Sequence, residues 1–257
     1  AHGMIVGGST GEGHTLTTRE LVESVGATCE AAKGRVPVLA GLIVNSTEMA
    51  IERAKQFQGM GVAALQVTPV HYLFKPDADA TVAHFRAIAE ETGLPVIIYN
   101  VIPWNYLSVD LMLRIMDEVP GVIGMKQSNG ALKSLSDLLL RIKPNNIVVS
   151  GIDALLYPAF SLGAHGAITA LTAAVPGVIV KLWDLVKAGD HERAKAIHFK
   201  LNALWNSIRH DNLPACTKYL QHRQGLSLYH PRPPMEQVTE AQKRAMDGPL
   251  ADLLASV

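Results

Sequence analysis

The chain repeats one pattern of apolar and polar positions. A short run of apolar, often β-branched residues is followed by a turn rich in Gly, Pro, Ser or Asn and then by a longer segment with helical periodicity. Seven such runs begin near residues 3, 36, 62, 94, 121, 146 and 165, a spacing that suits βαβ units of about 30 residues. Their apolar residues are continuous, which is typical of parallel strands covered on both faces.

Helix signals fill the intervening segments. "TTRE" at residues 17–20 is a capping box ahead of a helix that we expect to run to about Lys33, and a second helix is predicted from Ser46. After Ala174 the pattern is helical apart from the loop "YHPRPPM". We therefore predict barrel strands and helices in residues 1–174. Residues 175–257 should hold the last barrel helix and a C-terminal helical extension, all within one structural domain.

Parallel strands with crossover helices form either an open doubly wound sheet or a closed barrel. A dinucleotide-binding sheet should carry G-x-G-x-x-G after its first strand, and "GGSTGEG" lacks that spacing. The number of strands favours an α/β fold, a (β/α)8 TIM barrel whose first β/α unit is missing from this chain.

The composition excludes several classes of binding partner and site. The 257 residues are 48% hydrophobic, and 23 basic residues balance 23 acidic ones, so no net charge attracts nucleic acid or anionic lipid. No apolar run approaches the roughly 18 residues of a membrane span. Cys29 and Cys216 are too few and too far apart for a disulfide framework or a zinc site. We expect a cytoplasmic protein with neither a nucleic acid nor a membrane as partner.

Two strand ends carry side chains suited to chemistry, and barrel enzymes place their chemistry at these ends. Lys126 ends the fifth run and Tyr99 the fourth. Burial lowers the pKa of a lysine, and a neutral amine adds to a ketone to form an imine that acts as an electron sink. A phenol nearby could relay protons. Alternatively, the lysine forms an ion pair or snorkels and the tyrosine packs at the rim.

A serine hydrolase is a competing interpretation, because residues 7–11 match the G-x-S-x-G elbow with Ser9 as nucleophile. Such an elbow leads straight into a helix, whereas the nearest helix start predicted here is Thr17. A third interpretation is that Ser9 and Thr10 merely satisfy turn amides.

Four segments in order resemble the dihydrodipicolinate synthase and N-acetylneuraminate lyase family of class I aldolases, over essentially the full chain: "GSTGEGHTLTTRE", "VIIYN", "GVIGMKQSNG" and "SGIDALLYPAFSLGAHGAIT". The resemblance implies a carbon–carbon lyase or synthase that forms a lysine imine with pyruvate or a related 2-oxo acid. The imine would then condense with, or release, an aldehyde. Neither a metal nor an organic cofactor is implied.

The resemblance also assigns roles. Lys126 would form the imine and Tyr99 would relay protons, with Thr10 and Tyr72 completing the catalytic set. Ser9, Thr10 and Gly11 would bind the substrate, with Ser9 and Thr10 at its carboxylate, and the Ile168 carbonyl would face it. Trp104 is a further candidate for substrate binding, because of a departure from the family pattern that is described below. Gly8 and Gly11 would give the first turn its conformational freedom.

Family members usually assemble as homotetramers, dimers of dimers in which a tyrosine from the neighbouring subunit reaches the proton relay. In "TPVHYLFKP" either His71 or Tyr72 could fill that place.

One departure from the family pattern bears on the substrate. Synthases of the family carry an arginine shortly after Tyr-Asn to hold the second substrate's carboxylate, but this chain reads "YNVIPWNY", with Trp104 at or next to that position. Because tryptophan cannot clamp a carboxylate, the change counts against dihydrodipicolinate synthase activity. Trp104 could accept an apolar or aromatic aldehyde or a sugar face, or simply pack the loop. Asn105 and Tyr106 could contact a hydroxylated acceptor.

Two further alternatives stay open. A 2-keto-3-deoxy sugar acid dehydratase or a hydratase-aldolase would use the same imine. A non-catalytic 2-oxo acid binding protein would keep the anion-binding turn but would not require the lysine and tyrosine.

Overall fold

The computed structural model describes residues 1–256, and by internal contacts these form two compact units. Residues 2–149 make up the first, and the second begins at Ser150 and includes Ala1. The boundary predicted after residue 174, and the single structural domain, stay predictions.

Seven strands form one sheet in the order of the chain. Their bounds are β1 Met4–Val6, β2 Val38–Leu42, β3 Ala64–Val67, β4 Val96–Asn100, β5 Val122–Gln127, β6 Ile147–Ser150 and β7 Gly166–Ala167. All seven predicted runs are therefore confirmed as strands. From β1 to β5 each strand pairs in parallel with the next, as the continuous apolar runs indicated.

Eleven α-helices lie within the described residues: α1 Thr18–Ala32, α2 Thr47–Lys55, α3 Ala78–Thr92, α4 Val109–Glu118, α5 Leu132–Arg141, α6 Leu156–Ser161, α7 Ala170–Ala174, α8 Pro176–Lys187, α9 His191–Ile208, α10 Leu213–His222 and α11 Glu240–Leu254. None of them combines the length and the apolar character that a membrane crossing would require. The alternation of strands and helices is the TIM-barrel-like pattern, followed by C-terminal helices.

The predicted helix starts are confirmed by their caps. The Thr17 side chain accepts from the Glu20 amide while the Glu20 carboxylate accepts from the Thr17 amide, and Ser46 caps α2. Helix α1 ends where Lys33 takes a left-handed conformation. Helix α10 begins at Leu213 and carries Pro214 in its first turn, where proline is well tolerated.

Two strands of the first unit are completely buried, because every residue of β3 and β4 is buried. The second unit has its own apolar core, supplied by helices α6 to α11, with Leu156, Leu182, Leu201 and Leu204 among its fully buried members. Burial of such side chains contributes about 1.5–3 kcal/mol each to the stability of the fold.

Candidate active site

Tyr99 and Lys126 are neighbours on adjacent strands. The β4–β5 ladder pairs these two residues directly, so both side chains extend from the same face of the sheet. The Lys126 Nζ lies 3.8 Å from the centroid of the Tyr99 ring. Both residues are buried, at 5% and 4% exposure. A lysine amine and a phenol are thus held together in a nearly dry environment at the carboxyl end of two strands.

Ser9 adds a third member to this group. Its Oγ is 3.1 Å from the Tyr99 Oη, and either oxygen can donate. The bond joins the turn after β1 to the end of β4. Because one hydroxyl can pass its proton as it receives another, Ser9 and Tyr99 together are suited to proton relay beside the Lys126 amine.

The turn of residues 7–13 is closed on itself. The Glu12 amide donates to the Ser9 carbonyl and the Gly13 amide to the Gly8 carbonyl, both at 3.0 Å. The turn leads into a short 3-10 helix at Gly13–Thr15, and α1 begins only at Thr18. Ser9 therefore does not occupy the strand-to-helix elbow that the hydrolase interpretation requires.

The glycines that this turn needs are Gly7 and Gly13. Gly7 has φ +80°, and a Cβ at Gly13 would lie 1.9 Å from the Gly7 carbonyl oxygen. The prediction for Gly8 and Gly11 was wrong, because neither has a positive φ. A Cβ at Gly8 would meet nothing within 4 Å, and at Gly11 its nearest contact would be 3.5 Å. The sequence could not reveal which glycine of the segment takes the left-handed conformation.

Thr10 and Gly11 lie at the tip of the turn, half-buried and exposed respectively. Within residues 1–256, their backbone amides donate to no backbone carbonyl. Two neighbouring amides with free N–H groups are a common way to bind a carboxylate without a buried cation.

The opposite face of the same two strands carries Asn100 and Gln127, which are also paired in the β4–β5 ladder. The Asn100 Nδ2 donates to the Gln127 Oε1 at 3.0 Å and to the Leu107 carbonyl at 3.1 Å. The Leu107 amide donates to the Asn100 Oδ1 at 2.9 Å. Asn100 therefore fixes the start of the β4–α4 connection to its end. Sequence reasoning had not assigned Asn100 or Gln127 a role, because the pairing of β4 with β5 is not readable from the sequence.

Three side chains of the β4–α4 connection donate to backbone carbonyls. The Trp104 Nε1 donates to the His71 carbonyl at 2.7 Å, the Asn105 Nδ2 to the Val70 carbonyl at 2.6 Å, and the Tyr106 Oη to the Ser128 carbonyl at 3.2 Å. The connection is thus tied both to the loop after β3 and to the end of β5.

Exposure differs sharply along this connection. Trp104 is 61% exposed and Tyr106 37% exposed, whereas Asn105 is buried. Burial, and then repulsion from the charge that Tyr99 would carry if it ionised, raise the pKa of Tyr106 above the ordinary value of a tyrosine. Because its pKa is raised, Tyr106 stays neutral at physiological pH.

The remaining predicted residues belong to other segments of the chain. Tyr72 is 70% exposed on the loop after β3, and the Nδ1 of His71 is 3.2 Å from the Pro69 carbonyl. Ile168 belongs to the second unit, where its amide donates to the Ser150 carbonyl at 2.9 Å. No group of three or more His, Cys, Asp or Glu side chains among residues 1–256 could hold a metal ion.

Comparisons with known proteins identify the family to which the chain belongs. The model of the dihydrodipicolinate synthetase family matches residues 1–252. A 4-hydroxy-tetrahydrodipicolinate synthase from Halalkalibacterium halodurans is 32% identical over 246 residues, which are 95% of this chain and 83% of the relative.

Two solved structures are also similar. A dihydrodipicolinate synthase from Bacillus anthracis aligns with TM-score 0.92 and 28% identity over 98% of this chain and 86% of its own. YagE, a prophage protein from Escherichia coli solved in complex with pyruvate, aligns with TM-score 0.92 and 25% identity over 99% of this chain and 87% of its own. The chain belongs to the dihydrodipicolinate synthetase family of lyase-type enzymes.

Proposed function

We propose that this chain is a class I aldolase-type lyase or synthase that forms an imine between Lys126 and pyruvate or a related 2-oxo acid. The observation that carries the proposal is the buried pair of Lys126 and Tyr99, with the amine 3.8 Å from the ring centroid and Ser9 bonded to the phenol. Family membership and the pyruvate complex of YagE support the choice of a 2-oxo acid.

The reaction follows from these groups. The neutral Lys126 amine adds to the C2 carbonyl, and loss of one water gives the imine. The protonated imine then loses a proton from C3, so that a C2–C3 double bond forms and the C=N electrons neutralise the nitrogen, which gives an enamine. In the synthetic direction C3 attacks an aldehyde carbon, and the aldehyde oxygen receives a proton. Tyr99, hydrogen-bonded to Ser9, is the proposed proton carrier in these steps.

The substrate carboxylate is proposed to bind at the tip of the first turn. The backbone amides of Thr10 and Gly11, together with the Ser9 and Thr10 hydroxyls, supply donors of the kind that hold an anion. The proposal extends to the Ile168 carbonyl as a substrate contact, to Trp104 beside the aldehyde, and to a homotetramer in which Tyr72 of a neighbouring subunit joins the catalytic set.

Borohydride trapping tests the imine. The protein is incubated with pyruvate, reduced with sodium borohydride and analysed by intact mass and peptide mapping. We expect one reduced pyruvyl adduct per chain, on Lys126. Lys133→Ala, which removes an exposed lysine paired with Asp137, should form the same adduct, whereas Lys126→Ala should form none. A folded protein that gives no adduct with pyruvate or other 2-oxo acids would refute the proposal.

A further inference from the structure

The β4–α4 connection offers few hydrogen-bond donors to a substrate. The side-chain N–H or O–H groups of Trp104, Asn105 and Tyr106 each donate to a backbone carbonyl. Residues 101–108 read "VIPWNYLS" and contain no cationic side chain. A carboxylate needs donors or a cation. This connection is therefore poorly suited to an anionic acceptor.

Tyr106 differs from Trp104 and Asn105 because its side chain can still accept a hydrogen bond from a ligand after it has donated its own proton. An indole N–H has no acceptor capacity, and the Asn105 side chain is buried. A phenol oxygen keeps lone pairs that can accept a hydrogen bond after its proton is donated. Tyr106 is also partly exposed, so this oxygen is the acceptor that the connection can present to a ligand.

The position of Tyr106 places it beside the catalytic pair. Its hydroxyl binds the carbonyl of Ser128, two residues after Lys126. The Ser128 amide in turn donates to the Asn100 carbonyl at 3.1 Å, which extends the β4–β5 pairing by one position. These two bonds place Tyr106 at the ends of the two strands that carry Tyr99 and Lys126.

We propose that Tyr106 is a specificity-determining residue whose phenol oxygen accepts a hydrogen bond from a hydroxyl group of the aldehyde. The inference rests on the proposed function and names its acceptor class as a neutral, hydroxylated aldehyde. A carboxylate at the same place would meet an oxygen with only lone pairs to offer. An aldehyde without the hydroxyl would leave that oxygen unpaired.

The test compares three aldehydes as acceptors with pyruvate: glyceraldehyde, propionaldehyde and succinic semialdehyde. The wild-type enzyme should show its highest kcat/KM with glyceraldehyde and its lowest with the anionic semialdehyde. Tyr106→Phe keeps the ring but removes the oxygen. It should lower kcat/KM for glyceraldehyde about tenfold more than kcat/KM for propionaldehyde. Loss of the bond to the Ser128 carbonyl affects both acceptors equally, whereas only glyceraldehyde loses a neutral hydrogen bond to the phenol.

Asn105→Ala is the matched control. It removes the neighbouring tether to the Val70 carbonyl and no phenol, so it should change kcat/KM for both neutral aldehydes by the same factor. Equal losses with both aldehydes in Tyr106→Phe, no loss with glyceraldehyde, a preference for succinic semialdehyde, or no turnover of glyceraldehyde would each overturn the inference.

Borohydride trapping distinguishes failure of the Tyr106 inference from failure of the proposed imine chemistry. Tyr106→Phe should still form the pyruvyl adduct on Lys126. If the wild-type protein forms the adduct but shows no hydroxyl preference, only the role of Tyr106 is refuted. If the wild-type protein forms no adduct, both proposals fail.

Discussion

The two faces of the β4–β5 strand pair are built for different tasks. One face carries Tyr99 and Lys126, and the other carries Asn100 and Gln127, each pair in register across the ladder. The first face holds reactive groups against each other, with the amine over the phenol ring. The second uses amide groups to fix a loop to the strand ends. Since side chains alternate along a strand, consecutive residues can supply both the chemistry and its support.

Among substitutions on the face of Tyr99 and Lys126, removal of the Lys126 amine should lower activity the most. We expect Lys126→Ala to lower the exchange of pyruvate methyl protons with deuterium by about 10³-fold or more, because the variant lacks the amine that is proposed to form the imine. Proton NMR in D₂O measures the exchange, and no aldehyde is needed. Lys133→Ala is the control, and retained exchange in Lys126→Ala would contradict the assignment.

Removing the phenol oxygen should separate proton transfer from imine formation. Tyr99→Phe keeps the ring beneath the Lys126 amine but loses the bond to Ser9. We expect deuterium exchange to fall about 10²-fold, the usual share of a general acid–base, while the borohydride adduct still forms. If exchange is unchanged, Tyr99 does not carry the proton.

On the supporting face, Asn100→Ala should mainly reduce stability. The change removes three hydrogen bonds and leaves the buried Leu107 amide without its acceptor. We expect the free energy of unfolding to fall by about 2–3 kcal/mol, with the adduct on Lys126 retained. Urea denaturation measures the loss, and Asn145→Ala, at an exposed position, should change it by less than about 0.5 kcal/mol. Unchanged stability in Asn100→Ala would refute the supporting role.

The smallest effect is expected for a substitution of Gln66, which lies on the same face as Tyr99 and Lys126. It pairs with Ile97, two residues before Tyr99, so it extends from the same face. Within the described residues, its buried amide nitrogen and oxygen have no hydrogen-bond partner. Gln66→Met nearly conserves volume and should raise the free energy of unfolding by about 1 kcal/mol, because an unpaired buried amide is costly. A drop in stability would indicate that the amide has a partner in solution.

The strands could be predicted because they leave local signals, and for the same reason Lys126 and Tyr99 could be singled out, although their catalytic roles stay predictions. Seven apolar runs marked β1 to β7, and a lysine or tyrosine at the end of a buried run is conspicuous in the sequence itself. The capping box at Thr17 and Glu20 is likewise local.

Contacts that depend on tertiary structure were not predictable in the same way. The bond of Asn100 to Gln127 requires the register of two strands, and the bond of Tyr106 to Ser128 requires the path of a loop. The choice between Gly7 and Gly8 depends on how closely the turn approaches Gly13. None of these distances is fixed by residue type or spacing.

The central claim is that Lys126 forms an imine with a 2-oxo acid, and carbon NMR with pyruvate labelled at C2 tests it without reduction. A saturated wild-type protein should convert the bound ketone signal to an imine signal, one per chain, and Lys126→Ala should show only the ketone and its hydrate. An imine signal of equal size in Lys126→Ala, or none in a folded and saturated wild-type protein, would contradict the account.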